Sequence, residues 1–579
     1  MTRHIRKRTL APLSDEPAPT DPLVFHPGRG RANRGKVMRR LVGEPGTARF
    51  VAAGLARDAT FVLRTRVHQA RTGAWRARLQ QGPAQMVVHR GLVRFLAEVD
   101  DGASIHGTHL RTLDWLVDLL DASGLDYWTI RRDESFADIG LPAESRAQFL
   151  ASVRAAADKG APALFVLGPS GQSVLAPARS SGDEDVTGSV VGLVLPQADR
   201  SGRHTIEVGA AVRVGFWRDL GGGVRGAPEP NAWAPYLLRS SLAEAQTMDV
   251  HGVATRTVAD LAVPHIEHVD FPIDVVYTWV DGNDPQWRAR MLARLDAAHD
   301  AWTPAATSEA RFQSIDELRY SLRSVHQHAP WVHHIWLVTD QQRPEWLQVD
   351  DRITVVDHRD IWADPEVLPV FNSHAIEAAL HRIPGLTEHY VYMNDDVFLS
   401  STLRPTAFFS PGGVMRTYPS PVQVGLGSRN IHEGAVTTAG KNDRAILLAA
   451  TGSVQTHRLR HTCQAQRRSV AEELEARFPE AYAATAAAPF RSPTDVSPIT
   501  LQSWYAFRTG RAVLADTRLR YVDLAAQRAL DDLESILPEQ LDFLCLNQPR
   551  EAINERVGVA AARFLNETFP FRAPWEPRS

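Results

Sequence analysis

Residues 271–287, FPIDVVYTWVDGNDPQW, decide the fold. The run from Val275 to Val280 is mostly apolar and β-branched, which is typical of a strand buried on both faces of a parallel sheet. It ends in a turn cluster with two carboxylates, Asp281 and Asp284, and Asp284-Pro285 is suited to open a helix. Ligands of open α/β sheets bind beyond the carboxyl ends of the strands, so Asp281 is a candidate binding residue. A strand–turn–helix connection without any function explains the same pattern.

Further strands and helices alternate after this first unit. Residues 314–330, SIDELRYSLRSVHQHAP, predict an amphipathic helix, and residues 333–340 and 352–358 predict strands. Arg319 and Arg323 are four residues apart and share one helix face, where paired guanidiniums can hold phosphate oxygens. A solvated helix face accounts equally for such a pair. The alternation predicts the α/β class.

The segment 389–400, HYVYMNDDVFLS, places Asp395 and Asp396 directly after an apolar strand. Adjacent carboxylates in apolar surroundings are costly unless they are solvated or neutralised. Mg²⁺ is typically held by one or two carboxylates together with substrate phosphates. The segment therefore predicts a site for Mg²⁺ or Mn²⁺, although Asp-Asp pairs are also common in turns.

Polar residues elsewhere in this half are candidates of ordinary type. Asn372 and Ser373 are suited to cap a helix that carries Glu377, a possible base or metal ligand. Further along, the basic and polar loops supply His457, His461, Arg491 and Asp495. Taken singly, each of these residues also fits an exposed surface position.

Composition limits the possible classes of protein. The 579 residues contain 64 Lys and Arg against 67 Asp and Glu, a net charge of −3, so nothing global favours nucleic acid as a partner. Two cysteines cannot form a disulfide framework. The N-terminus lacks the apolar core of a signal peptide, and no apolar run is long enough for a membrane span. We therefore expect a cytoplasmic protein.

The remaining chain divides into two parts. Residues 1–40 are basic and aperiodic, and they predict either a solvated tail or a peripheral contact with the inner face of an anionic membrane. Residues 41–250 alternate helical patterns, the first at 50–75, with short strands, and predict a separate smaller α/β domain of unassigned role. A helix ending near Gly124 belongs to it, and a polar connection follows residue 250.

Longer blocks of the C-terminal half resemble the Stealth family of bacterial capsular and exopolysaccharide hexose-1-phosphate transferases, which is similar to the catalytic part of animal N-acetylglucosamine-1-phosphotransferase. The blocks at 277–287, 311–347 and 371–399 resemble its first two signature regions. Residues from His461 to Asp495 resemble the third, and 544–551 with 569–576 the fourth. The resemblance covers 271–579 and leaves the N-terminal half outside it.

The resemblance implies a glycosyltransferase-A-like nucleotide-sugar domain with a helical C-terminal part, and it implies roles for particular residues. The implied catalytic residues are Glu377, Asp396, His461 and Arg491; the implied metal ligands are Asp395 and Asp396; and the implied substrate-binding residues are Asp281, Arg319, Arg323, Asn372 and Asn547. Whether Glu377 or His461 is the base is left open.

Two positions depart from the family pattern. Thr462-Cys463-Gln464 follows His461 where proline is common, which keeps His457 as a rival histidine. Gln548 stands where the fourth region usually has aspartate, which removes a carboxylate.

The function that the resemblance implies is transfer of sugar 1-phosphate from a nucleotide diphosphate sugar, most simply a UDP-sugar, to a glycan hydroxyl in capsule or exopolysaccharide synthesis. A metal-dependent glycosyltransferase that releases a nucleoside diphosphate is the first alternative. A non-catalytic glycan-binding protein is the second. The donor sugar, the acceptor and the oligomeric state are not specified by the sequence.

Overall fold

The structure is a computed structural model that describes residues 63, 65–67, 84–90, 93–167, 174–181, 186–297, 314–430, 433–548 and 554–577. The predicted basic tail lies outside the described residues, as does most of the helix predicted at 50–75. Among the described helices, none is both long enough and apolar enough to cross a bilayer.

The N-terminal part, residues 84–262, is built from short strands and two longer helices. Its strands are β1 Gln85–Arg90, β2 Val93–Val99, β3 Trp128–Arg131, β4 Ala137–Pro142, β5 Leu164–Leu167, β6 Val174–Pro177, β7 Val190–Val194, β8 Gln197–Ala198, β9 Thr205–Ile206, β10 Val212–Asp219, β11 Val224–Gly226, β12 Tyr236–Leu238, β13 Ala245–Val250 and β14 Val253–Val258. Its helices are α1 Ile105–Ala122, α2 Arg146–Asp158, α3 Arg239–Leu242 and α4 Ala259–Ala262.

A mixed sheet with the order β12-β11-β10-β7-β5-β6 forms the centre of the N-terminal part, and β4 pairs parallel to β10. Helix α1 ends where the sequence predicts, because Gly124 has a φ of 63°, a left-handed conformation that glycine adopts without strain. Strand β14 lies beyond residue 250, where the sequence suggested only a polar connection. It pairs with β13, and Val253 packs into the N-terminal core.

The C-terminal part begins at β15. Its strands are β15 Ile273–Thr278, β16 Ile335–Thr339, β17 Ile353–Asp357, β18 His389–Asn394, β19 Val397–Leu399, β20 Met415–Thr417, β21 Pro419–Gln423, β22 His457–Leu459, β23 Gln464–Arg467, β24 Ala512–Leu514, β25 Leu519–Asp523 and β26 Phe543–Asn547. Its helices are α5 Pro285–Ala297, α6 Glu317–His328, α7 His358–Ile361, α8 Ser373–Glu377, α9 Ala435–Thr451, α10 Arg468–Arg477, α11 Pro479–Ala486, α12 Pro498–Arg508, α13 Ala529–Glu534 and α14 Glu555–Thr568.

The central sheet of this part has the order β17-β16-β15-β18-β23, in which the first four strands are parallel and β23 is antiparallel. The α/β class predicted from the sequence is confirmed. The helices α9 to α12 follow β18 in the chain. The strand order reverses between β15 and β18, because β16 and β17 lie on one side of β15 and β18 on the other. Crevices at such reversals, beyond the carboxyl ends of the strands, are the usual ligand sites of open α/β sheets.

A second, smaller sheet continues directly from the central one. Strand β19 follows β18 after only two residues, Asp395 and Asp396, and pairs antiparallel with β26, which in turn pairs parallel with β25. The two aspartates therefore lie at the junction of two sheets.

The two parts of the chain are joined by specific contacts. The Gln327 side chain at the end of α6 donates to the carbonyl of Ala103 over 2.6 Å. Phe571 is 5% exposed and packs into the N-terminal core cluster that contains Phe95. The next residue, Arg572, donates its backbone N–H to Asp101 over 2.7 Å. The C-terminal residues thus complete part of the N-terminal core.

Candidate active site

Asp396 is positioned by the pairing of the small sheet. Val397 lies opposite Cys545 in the β19–β26 pair, and the backbone of Leu546 donates to the carbonyl of Asp396 over 3.0 Å. Because alternate residues of a strand face the same way, Cys545 and Asn547 point to the same side of β26. Both side chains therefore reach the carboxylate of Asp396.

Only one of the two carboxylate oxygens of Asp396 accepts a hydrogen bond from the described residues. Its Oδ2 accepts a hydrogen bond of 2.6 Å from Asn547 Nδ2, and Tyr521 donates to Asn547 Oδ1 over 3.1 Å, which fixes the amide. The other oxygen, Oδ1, is buried and has no hydrogen-bond partner among the described residues. A buried carboxylate oxygen left without a donor is costly unless a cation or substrate group meets it.

His461 and Cys545 complete a group with Asp396 that could hold a divalent cation. The Nδ1 atom of His461 lies 3.1 Å from Cys545 Sγ and 4.0 Å from Asp396 Oδ2, and one ligand atom from each residue lies within 4.8 Å of the others. His457, the rival histidine, contacts Thr456 instead. Together with the orphaned Oδ1, this donor set fits a metal, and its nitrogen and sulfur atoms widen the choice beyond Mg²⁺ to softer ions.

Asp395, predicted as a metal ligand beside Asp396, is not part of this three-residue group. Its carboxyl instead interacts with Glu317 at the start of α6, and burial, strengthened by the charges of Glu317 and Asp396, raises the pKa of Asp395 well above its usual value. Successive side chains at the end of a strand diverge, which separates the two aspartates. Asp396 belongs to the three-residue group, and the assignment of Asp395 as a metal ligand stays a prediction.

Glu377 and Arg491 form the second half of the site. Burial raises the pKa of Glu377 to about 7, against the opposing effect of the Arg491 cation. Arg491 donates from Nη2 to Ser373 Oγ over 2.9 Å, which fixes the guanidinium beside the first turn of α8. A carboxyl group that titrates near neutral pH next to an arginine is suited to move a proton beside an anionic substrate.

Tyr392 connects the two halves. Its hydroxyl lies 3.5 Å from Glu377 Oε1, 3.3 Å from Asn394 Nδ2 and 3.2 Å from Thr278 Oγ1. Thr278 and Asn394 are register partners at the carboxyl ends of β15 and β18. Glu377 and Arg491 are therefore linked through one tyrosine to the residues that lead into Asp395 and Asp396, at the reversal point of the sheet.

Asn372 has a different place from the one implied. It is fully buried, caps α8 through His374 N–H, and donates from Nδ2 to Asp495 Oδ2 over 2.8 Å. Asp495 also accepts the backbone N–H of Ser492. Asn372 therefore holds the loop that carries Arg491 and acts as a positioning residue, since its amide is occupied by the protein itself.

Arg319 and Arg323 do not present a phosphate-binding face. Arg323 forms a bidentate pair of 2.6 and 2.7 Å with Glu576 and donates to the carbonyl of Phe569. Arg319 pairs with Asp316 over 2.7 Å. The C-terminal segment covers Arg323, whereas Arg319 stays partly exposed. The implied role of the two arginines in substrate binding stays a prediction.

Asp281 lies at the carboxyl end of β15, as expected, within a loop that is held from the neighbouring strand. Gln342, just after β16, accepts from the Asp281 N–H over 2.9 Å and donates to the Asp281 carbonyl over 3.0 Å. The carboxylate itself accepts from the backbone of Asn283. The loop is therefore preformed beside the sheet reversal.

Sequence reasoning missed Glu317, Tyr392 and Cys545. Glu317, the first residue of α6, accepts from Ser314 Oγ and from the backbone of Ile315. No local signal in the sequence indicates that Glu317 lies near Asp395. Cys545 could have been found only from the pairing of β26 with β19, which the sequence does not reveal.

Comparisons with known proteins agree with the signature regions. Family models match for Stealth protein conserved region 1 at residues 271–297, conserved region 2 at 311–417 and conserved region 3 at 460–508. The assignment of a fourth region stays a prediction.

Similar proteins include an exopolysaccharide phosphotransferase of Streptomyces coelicolor, 39% identical over 491 residues, or 81% of this chain and 83% of that protein. The exopolysaccharide phosphotransferase CpsY of Mycobacterium tuberculosis is 33% identical over 513 residues, or 85% of this chain and 94% of that protein. Both alignments are longer than the 309 residues from 271 to 579 (579 − 271 + 1), so the similarity extends into the N-terminal half, contrary to the expectation from the motifs.

Among solved structures, the galactosyltransferase LgtC matches with a TM-score of 0.27 and 9% identity over 52% of this chain and 96% of that chain. A similarity of this size adds nothing to the argument. The three conserved regions and the long alignments establish that the chain belongs to the Stealth family.

Proposed function

We propose that this protein transfers sugar 1-phosphate from a nucleotide diphosphate sugar to a hydroxyl of a glycan, in the synthesis of a capsular or exopolysaccharide. The observation that carries the proposal is that Tyr392 contacts both Glu377, which lies beside Arg491, and Asn394, two residues before Asp396 with its orphaned Oδ1. The names of the relatives, exopolysaccharide phosphotransferases, support the same reaction.

In this reaction the acceptor hydroxyl attacks the phosphorus next to the sugar. The bond between that phosphorus and the oxygen bridging to the nucleotide breaks, a nucleoside monophosphate leaves, and the hydroxyl proton passes to a base. Phosphoryl transfer depends mainly on positioning and on neutralising charge, and little on covalent help from the protein. The proposed site meets these requirements with one arginine, one carboxyl group that can take up a proton and one aspartate that can bind a cation.

Each residue has a distinct part in the proposal. Glu377 accepts the proton, because a base is most effective when its pKa lies near the working pH. Arg491 holds a non-bridging phosphoryl oxygen with the donors that Ser373 leaves unused. Asp396 and His461, with Cys545 beside them, would hold Mg²⁺ or Mn²⁺, and such a cation would supply charge neutralisation for the diphosphate. Asn547 keeps the Asp396 carboxylate oriented.

The proposed setting follows from the same chemistry. Nucleotide sugars are made in the cytoplasm, so a cytoplasmic enzyme working at the inner face of the membrane has access to a UDP-sugar donor. The loop at Asp281, preformed at the carboxyl end of β15, is the part of the site that the donor would reach.

The bond that breaks separates this proposal from ordinary glycosyl transfer. We expect a donor labelled at the phosphorus next to the sugar to pass its label into the glycan and to release a nucleoside monophosphate. The test incubates the purified protein with labelled UDP-sugars, Mg²⁺ or Mn²⁺ and oligosaccharide acceptors, and follows ³¹P signals of phosphodiesters. Label found only in released nucleoside diphosphate would show attack at carbon and refute phosphoryl transfer.

Glu377→Gln is expected to lower kcat about 100-fold and to remove the acidic limb of the pH profile of kcat/KM near pH 7. The same substitution should lower activity but raise the free energy of unfolding at alkaline pH. Because the pKa of Glu377 is raised from 4.5 to about 7, its ionisation destabilises the folded protein as the pH rises across that interval. The variant should therefore gain stability relative to wild type at pH 8 compared with pH 5.

The matched control for this variant is Glu472→Gln on the exposed side of α10, where the carboxylate forms only a surface pair of 3.4 Å with Arg468. It should leave both the pH profile and the pH dependence of melting unchanged. An unaltered acidic limb in Glu377→Gln would show that Glu377 is not the base.

A further inference from the structure

A cavity of about 710 Å³ lies where the N-terminal part meets the central sheet. His106 and Leu110 of α1 line one side, and Phe271, Trp331 and Arg352, which flank the amino ends of the central strands, line the other. Its volume is within the range of about 300–1,000 Å³ that is typical of small-molecule sites. We call this space the interface cavity.

The interface cavity is distinct from the transfer site. Asp396 and Tyr392 belong to the carboxyl ends of the parallel strands, whereas the cavity borders Ile273, the first residue of β15. The six residues of β15 span about 20 Å at ~3.3 Å per residue. A ligand in the cavity therefore cannot contact Asp396 unless it is an extended molecule.

Two histidines of the cavity wall are neutral and two of its charged groups are engaged within the protein, whereas Asp270 adds an exposed carboxylate. Burial lowers the pKa of His106 to about 3 and that of His326 to about 4, so both imidazoles are neutral at pH 7. The Nε2 atom of His106 is buried and has no hydrogen-bond partner among the described residues. The carboxylate of Glu134 is neutralised by Arg404 over 2.9 Å. Arg352 donates to the carbonyl of Val332.

Aromatic side chains supply the apolar part of the wall. The indole N–H of Trp331 donates to the carbonyl of Leu403 over 2.6 Å, so this side chain has no donor left and offers only ring surface to the cavity. Phe271 is partly exposed and stacks on His389 at 4.0 Å between ring centroids. The cavity thus combines aromatic surface with neutral groups that can both donate and accept hydrogen bonds.

We propose that the interface cavity binds a neutral sugar residue of an oligosaccharide, as a remote subsite for the acceptor chain. A sugar ring offers hydroxyls that donate and accept, which matches neutral imidazoles, and an apolar C–H face that packs on aromatic rings. The Glu134 carboxylate and the Arg352 guanidinium are engaged within the protein, and the exposed Asp270 carboxylate can accept hydrogen bonds from sugar hydroxyls. The acceptor role rests on the proposed transferase function, whereas the binding does not.

The test measures binding by calorimetry of the full chain with hexasaccharides of glucose, galactose and mannose. At least one of them should bind wild type saturably. His106→Leu removes an imidazole from the cavity wall and also its hydrogen bond with the backbone of Ser135, so thermal unfolding of the variant is recorded in parallel. This variant and the cavity-filling Leu110→Trp should both weaken binding about tenfold or more.

Two further variants are the controls. His204→Leu alters a partly exposed histidine of the N-terminal part that contacts Asp199 and does not line the cavity, and it should bind as wild type does. Asp396→Asn should also keep binding, because the two sites are separate. In transfer assays, His106→Leu should raise KM for hexasaccharide acceptors about tenfold and leave KM for a disaccharide unchanged.

The proposal is overturned if none of the three hexasaccharides binds, if His106→Leu and Leu110→Trp bind as tightly as wild type, or if only sulfated oligosaccharides bind. Cavity-dependent binding without any transfer of sugar phosphate would uphold the subsite and refute the transferase instead. If both cavity variants transfer sugar phosphate normally and bind the hexasaccharides as wild type does, the transferase is upheld and the subsite is refuted.

Discussion

Asp396→Asn is expected to lower kcat by about 10³-fold, at saturating Mg²⁺ or Mn²⁺, while leaving the fold intact. The substitution removes the charge that meets a cation and keeps the shape of the side chain. Asn547 can still donate to the remaining carbonyl oxygen, so the junction between β18 and β19 stays paired. The measurement is steady-state transfer of labelled sugar phosphate, with thermal unfolding recorded in parallel.

Asp531→Asn, on the exposed first turn of α13, is the matched control and should be fully active. Near-normal turnover by Asp396→Asn would show that Asp396 does not hold a cation needed for transfer. Weakened binding of Mn²⁺ by calorimetry in the variant, measured without substrate, would confirm that the loss comes from the ion and not from a distorted active site.

Arg323→Met should destabilise the C-terminal part by about 3–5 kcal/mol, because it leaves the carboxylate of Glu576 buried without its bidentate partner. The two side chains are only 8% and 5% exposed, so water cannot replace the lost donors. Urea unfolding followed by tryptophan fluorescence gives the change, since Trp575 lies beside Glu576 in the affected segment.

The companion double variant, Arg323→Met with Glu576→Leu, should recover much of the loss, because apolar replacement of both partners of a buried pair is often neutral. Arg319→Met is the partly exposed comparison: Arg319 pairs with Asp316 over 2.7 Å and lies 3.7 Å from Glu576, so its cost should be smaller than that of Arg323→Met. If Arg323→Met unfolds at the same urea concentration as wild type, the ion pair does not anchor the C-terminal segment.

The sequence was most informative where local signals decide the structure. The apolar run of β15, the capping of α8 by Asn372 and the helix opened by Pro285 all form as predicted. Asp395 and Asp396 were singled out because they directly follow an apolar strand, and the family resemblance then implied a role for Asp396. These features depend on residues close together in the chain.

Features that depend on pairing between distant segments could not be predicted from one sequence. The approach of Asn547 and Cys545 to Asp396 follows from the register of β26 against β19, about 150 residues apart in the chain. The burial of Arg323 follows from the docking of Glu576, and an i, i+4 pair by itself cannot reveal which segment covers it. Long-range contacts decided these positions.

The place of Phe571 in the N-terminal core has a consequence for synthesis of the protein on the ribosome. The last helix of the N-terminal part ends at Ala262, and Phe571 is synthesised 309 residues later (571 − 262). At about 5–20 residues per second, this interval lasts roughly 15–60 s. During this time the side of the core next to Phe95 has no cover from Phe571, so the nascent chain presents an apolar surface to which chaperones bind.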